Sequence, residues 1–100
     1  METREQILSK LREHLSELRL AFGVMKIGLF GSFARNTQRQ DSDIDIIVEF
    51  DRPMGMKFMD FADYLQDLLK RPVDVLTPAG IEGIRNPEIA AEIRRSVIYV

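Results

Sequence analysis

The octapeptide Asp43-Ile44-Asp45-Ile46-Ile47-Val48-Glu49-Phe50 does most to narrow what this chain can fold into. Successive side chains of a strand point to opposite sides of a sheet, so this order puts Ile44, Ile46, Val48 and Phe50 on one face. Asp43, Asp45, Ile47 and Glu49 fall on the other. A helix would scatter the same residues around its axis. The chain must therefore contain a sheet, one strand of which begins with strong negative charge, and other segments must cover the isoleucine face. With 100 residues, 45% hydrophobic and 30% charged, it has enough apolar material for one core and is expected to form one domain over 1–100.

Helical signals supply the cover. Thr3 followed by Gln6 has capping-box spacing, and Ile7, Leu8, Leu11, Leu15, Leu18 and Phe22 recur three or four apart, which predicts one amphipathic helix over 4–21 ended by Gly23. Val24 to Phe30 is short, mostly apolar and bounded by glycines, as a buried strand would be. Gly31 to Asn36 can start a short helix, and Thr37 to Ser42 reads as a polar loop. Phe58, Phe61, Ala62, Leu65, Leu68 and Leu69 form a second helical stripe that ends before Arg71-Pro72. Val73 to Leu76 is a third strand, closed by Pro78 and Gly80. Asn86-Pro87 caps a last helix running through Ile89, Ala90, Ile93 and Arg95, and 96–100 forms either a fourth strand or a frayed tail. The expected fold class is α+β, a small mixed sheet of three or four short strands packed with helices.

Composition excludes several chemistries. The chain has no cysteine, which removes disulfides, thiolate zinc sites and a cysteine nucleophile together. Fourteen basic against sixteen acidic residues leave a net charge of −2, which offers a polyanion no overall attraction, so direct nucleic-acid binding is not expected. The charged start Met1-Glu2-Thr3-Arg4-Glu5 lacks the apolar stretch of a signal peptide, and no run approaches the ~20 apolar residues of a membrane span. A cytoplasmic location is the expectation.

Asp43 and Asp45 stand two apart on a strand that otherwise reads as core, with Cα atoms about 6.6 Å apart. Like charges at about 4 Å repel by roughly 4 kcal/mol at an effective dielectric of 20, a cost that a shared cation or exposure to water relieves. Upstream, a glycine after a buried strand and then a serine let backbone N–H groups approach a phosphate closely, although Gly31-Ser32 taken alone also fits an ordinary turn. A phosphate cradle and a carboxylate pair on neighbouring strands together provide what metal-assisted nucleotidyl transfer requires.

The run Gly31-Ser32-Phe33-Ala34-Arg35, followed by Ser42-Asp43-Ile44-Asp45, resembles the GSxAR(G)…SDxD signature of the minimal nucleotidyltransferases (MNT) of the DNA polymerase beta superfamily. These small proteins are commonly the antitoxin partners of HEPN toxins. The resemblance implies a polymerase beta-like fold in which Gly31 and Ser32 bind the nucleoside triphosphate, ATP, and Asp43 and Asp45 bind two magnesium ions. It also implies a third carboxylate on a later strand, and Asp74 occupies that position. Asp74 would then hold metal beside an acceptor hydroxyl and favour loss of its proton, so Asp43, Asp45 and Asp74 are the candidate catalytic and metal-binding residues. Asn36 stands where the signature often has glycine, and asparagine tolerates a left-handed backbone better than most residues.

Other residues carry weaker signals. Arg35 suits phosphate or an ion pair with Asp41 or Asp43 equally well. His14 lies beside Arg12 and Glu13 and reads as a surface histidine, while Tyr64 and Tyr99 offer hydroxyls for self-modification or simple packing. Met54, Met56, Phe58 and Met59 are either core filling or an adaptable binding surface. Larger nucleotidyltransferases carry a further domain to hold base and acceptor, so a partner protein or a second copy is expected to complete the cleft. The favoured reading is a HEPN-type toxin's antitoxin that adenylylates it. Nucleotidylation of a small hydroxylated molecule such as an aminoglycoside, or a non-catalytic module acting by occlusion, are the alternatives.

Overall fold

The computed structural model of the chain describes residues 2–100. Helix α1 (Arg4–Glu13) opens with the predicted capping box: Thr3 Oγ1 accepts from the Gln6 N–H at 3.2 Å, and Gln6 Oε1 accepts from the Thr3 N–H at 2.8 Å. The single helix expected over 4–21 is interrupted at His14, where ψ is 6°, and resumes as α2 (Leu15–Phe22). His14 Nδ1 lies 2.9 Å from the Lys10 carbonyl oxygen, which also accepts the His14 backbone N–H at 3.2 Å; a side chain intruding on the ladder in this way kinks a helix. The residue is half-buried at this joint rather than on an open surface.

Four strands follow, in the order predicted: β1 (Val24–Phe30), β2 (Ile44–Phe50), β3 (Val73–Leu76) and β4 (Ile98–Tyr99). Between them lie α3 (Gly31–Ala34), α4 (Lys57–Leu69), α5 (Pro78–Glu82) and α6 (Pro87–Ser96). The fourth strand thus exists, two residues long. The segment after β3, expected only to close the strand, is a short helix. Thr77 Oγ1 accepts from the Gly80 N–H at 3.2 Å and Pro78 takes the first turn, a capping signal that the proline and glycine obscured.

The sheet order is β3-β2-β1-β4. β1 runs antiparallel to β2 and β4, and β2 runs parallel to β3 through the α4 crossover, so the sheet is mixed as expected. Its larger core joins Ile27, Leu29, Ile44, Ile46 and Val48 to Ile7, Leu11 and Leu18 of the first two helices and Phe61 and Leu65 of α4, all at most 1% exposed. A register shift between Val24 and Lys26 lets Val24 and Ile27, three apart, share that core. On the opposite face Phe30, Ile47, Ile81 and Ala90 make a smaller cluster under α5 and α6. Asp45 and Asp74 belong to this second face. Among the described residues no helix is long and apolar enough to cross a membrane.

Candidate active site

The site is built where β1 ends, β2 begins and β3 begins. At the end of β1 the chain turns through Gly31, whose φ of 74° lies in the left-handed region. A Cβ there would overlap Asp45 Oδ2 and come within 3.0 Å of its Cγ, so the carboxylate rests directly against bare backbone. Ser32 is half-buried beside it, while Phe33 and Ala34 bury into the core and hold the turn down. Arg4 Nη1 donates to the Ala34 carbonyl at 3.2 Å and ties α1 to the same turn. Asn36 adopts the left-handed conformation that the glycine of the signature would take, with φ 59°.

In the strand register Asp45 lies opposite Phe30 on one side and Asp74 on the other. Parallel partners in register project from the same face, so Asp45 and Asp74 are side by side although 29 positions apart in sequence. Asp43 lies just before β2 and is exposed, as is Asp74, whereas Asp45 is half-buried between them. Burial, followed by the Asp74 and Asp43 charges, pushes the Asp45 carboxyl up from 3.8 to about 6, with partial relief from Arg35. Among the described residues none of the three carboxylates has a hydrogen-bond or ion-pair partner. No group of three or more acidic, histidine or cysteine side chains there closes into a metal-holding cluster. Asp45 and Asp74 are thus paired in register, with Asp43 two residues before Asp45 at the approach to the strand and its charge felt at the Asp45 carboxyl. Uncompensated carboxylate oxygens on one rim are the donor chemistry of a hard divalent cation.

The chain matches the family described as nucleotidyltransferase domain over residues 8–100. It belongs to that nucleotidyltransferase family. It is 41% identical over 101 residues to the protein adenylyltransferase MntA of Thermococcus cleftensis, covering 100% of this chain and 98% of that protein. It is 44% identical over 102 residues, with 100% of both chains covered, to a candidate protein adenylyltransferase of Methanocaldococcus jannaschii. The structure of a candidate minimal nucleotidyltransferase superposes with a TM-score of 0.72 at 26% identity, covering 97% of this chain and 95% of that one. A toxin-antitoxin crystal structure with AMP-PNP shares the fold, with a TM-score of 0.62 at 21% identity over 98% of this chain and 72% of that one. The resemblance to minimal nucleotidyltransferases carried by residues 31–45 is thus borne out, and the chain is a nucleotidyltransferase.

Around the site of this nucleotidyltransferase the weaker signals separate. Arg35 makes neither of the acidic pairs considered for it; its Nη1 lies 4.0 Å from Glu92 of α6, and both side chains are largely exposed. That contact borders a groove of about 640 Å³ lined by Arg35, Glu88, Ile89, Glu92, Ile93 and Arg95, and none of the three aspartates lines it. Tyr64 Oη donates to Glu17 Oε2 at 2.7 Å, which raises the phenol's pKa and ties α4 to α2. Tyr99 is half-exposed with Lys26 Nζ 5.0 Å from its ring centroid. The methionine segment divides: Met54 packs on the core and Phe58 meets Phe50 edge to face, but Met56 and Met59 are 88% and 69% exposed. Arg71, which the sequence marked only as a helix boundary, reaches across to the polar loop before Asp43.

Proposed function

We propose that this nucleotidyltransferase moves AMP from ATP to a hydroxyl of a partner protein, a HEPN-type toxin for which it is the antitoxin. The observation that carries the chemistry is the stacking of Gly31, Asp45 and Asp74 across three neighbouring strand ends. Two full-length relatives bearing protein adenylyltransferase names support the kind of acceptor.

In this reading the backbone at Gly31 and the Ser32 hydroxyl bind the triphosphate, with Arg35 at the groove beside it. Asp43, Asp45 and Asp74 would hold two magnesium ions, which when bound neutralise the triphosphate and stabilise the attacking and leaving oxygens of the displacement. Asp74, on the outer strand, would lie beside the acceptor and take the hydroxyl proton, which then passes to water. The acceptor oxygen forms its bond to the α-phosphorus, the bond from that phosphorus to the bridging oxygen breaks, and pyrophosphate leaves. The exposure of Asp43 and Asp74 leaves room for a protein surface to close over the site.

Intact mass of the partner after incubation with magnesium and ATP tests this. The expected gain is one or more AMP units, lost with Asp43→Asn and reduced with Ser32→Ala. A partner inhibited equally by wild type and Asp43→Asn without gaining mass would make the chain an occlusion module instead. Transfer to an aminoglycoside and never to protein would place its substrates among small molecules.

A further inference from the structure

We propose that Arg71 is a positioning residue that sets the distance between the phosphate turn and the carboxylate rim; the inference rests on the nucleotidyl-transfer reading above. Its Nη1 donates to the carbonyl of Gln40 at 2.8 Å and to that of Ser42 at 3.0 Å, and Ser42 immediately precedes Asp43. Its guanidinium carbon lies 5.3 Å from the centroid of Phe33, the fully buried residue that follows Gly31-Ser32. Pro72, next along the chain, accepts the Ile44 N–H at 3.0 Å, and two residues further stands Asp74.

One side chain therefore touches the loop that delivers Asp43 and the ring that anchors the glycine turn, and its own backbone leads into the strand of Asp74. Among the described residues it pairs with no carboxylate, so its donors serve the two carbonyls. The loop it holds has little else. Within 37–42 the remaining ties are Thr37 to the Ser32 carbonyl and a local turn in which Arg39 and Ser42 bond each other. A lysine cannot reproduce both contacts, because an ammonium has no planar group to lie over the Phe33 ring while its N–H groups reach the two carbonyls.

The test compares wild type with Arg71→Lys and, to retain the apolar stem without charge, Arg71→Met. Amide exchange in the apo protein is measured at Ser42, whose N–H donates to the Arg39 carbonyl at 3.1 Å and whose rate should rise about tenfold while those of Ile46 to Val48 stay put. The magnesium concentration giving the half-maximal thermal shift with ATP should rise about tenfold in both variants, as expected when support behind metal ligands is lost. In the transfer assay kcat at ordinary magnesium should fall while the KM for ATP at saturating magnesium stays within about threefold. Unchanged exchange at Ser42, or an unchanged magnesium requirement, overturns the proposal. If wild type shows the magnesium-dependent shift but never transfers AMP, the functional reading fails while exchange and metal requirement still decide Arg71. A wild type with no magnesium-dependent shift overturns the role of Arg71 whether or not AMP is transferred.

Discussion

Asp45 links the acidity of the site to the stability of the fold. Its carboxyl is pushed up to about 6, so the folded chain holds this proton more tightly than the unfolded one. The stabilisation from that proton is complete below about pH 3.8 and is lost as pH rises through about 6. Solvent screening at a half-exposed group limits the effect to about 1–2 kcal/mol. Asp45→Asn should therefore stabilise the apo protein by about that amount at pH 7.5, with the advantage shrinking toward pH 4. Urea denaturation across pH reads it, and an advantage independent of pH would show that charge is not its source. Gly31 is bound to the same carboxylate by contact: Gly31→Ala should cost about 2–3 kcal/mol, from left-handed strain and the overlap with Asp45. In an Asp45→Ala background the overlap with the carboxylate is gone and the backbone strain remains with a 3.2 Å contact to the Cβ at position 45, so the cost should fall to about 1–2 kcal/mol, and equal costs in the two backgrounds would exclude the overlap.

At the scale of elements, β4 depends on a residue it does not contain. A Cβ on Gly28 would come within 2.8 Å of Val97 Cγ1 and 3.1 Å of the Ile98 carbonyl oxygen. Gly28→Ala should push the two-residue strand off the sheet and cost about 1–3 kcal/mol, seen as a lower urea midpoint and faster amide exchange at Val100. Unperturbed exchange there would show that β4 is held by other contacts. The same strand marks where the sequence stopped being legible. β2 could be read from its alternation, and Asp74 was picked out by the resemblance to the nucleotidyltransferase signature, so the three strands that bear the site were visible in advance. The in-register pairing of Asp45 with Asp74 was not, because register across a crossover is decided by how α4 packs. The break at His14 was equally hidden: the apolar spacing runs straight through it, and the contact of its ring with the Lys10 carbonyl leaves no mark in that spacing. Arg71 was missed for a related reason, since its partners are main-chain carbonyls some 30 residues away that carry no signature in sequence.

For the molecule as a whole, the sheet order places β3 at an edge, with four residues and none of them fully buried. β2 lies inside the sheet with Ile44, Ile46 and Val48 in the larger core. The carboxylate pair thus straddles two regions of unequal tenacity. Fluctuations that peel an outer strand require less free energy than global unfolding, so amides of Val73 to Leu76 should exchange by a cheaper opening than those of Ile44 to Val48. Magnesium and ATP together should narrow that gap, whereas identical opening energies in the apo protein would mean that both strands leave as one unit. In the unequal case Asp74 spends part of its time detached while Asp45 stays seated against Gly31. The enzyme would then have a resting state that is intact in its core and incomplete at its rim, and nucleotide would act as the clasp that makes it whole.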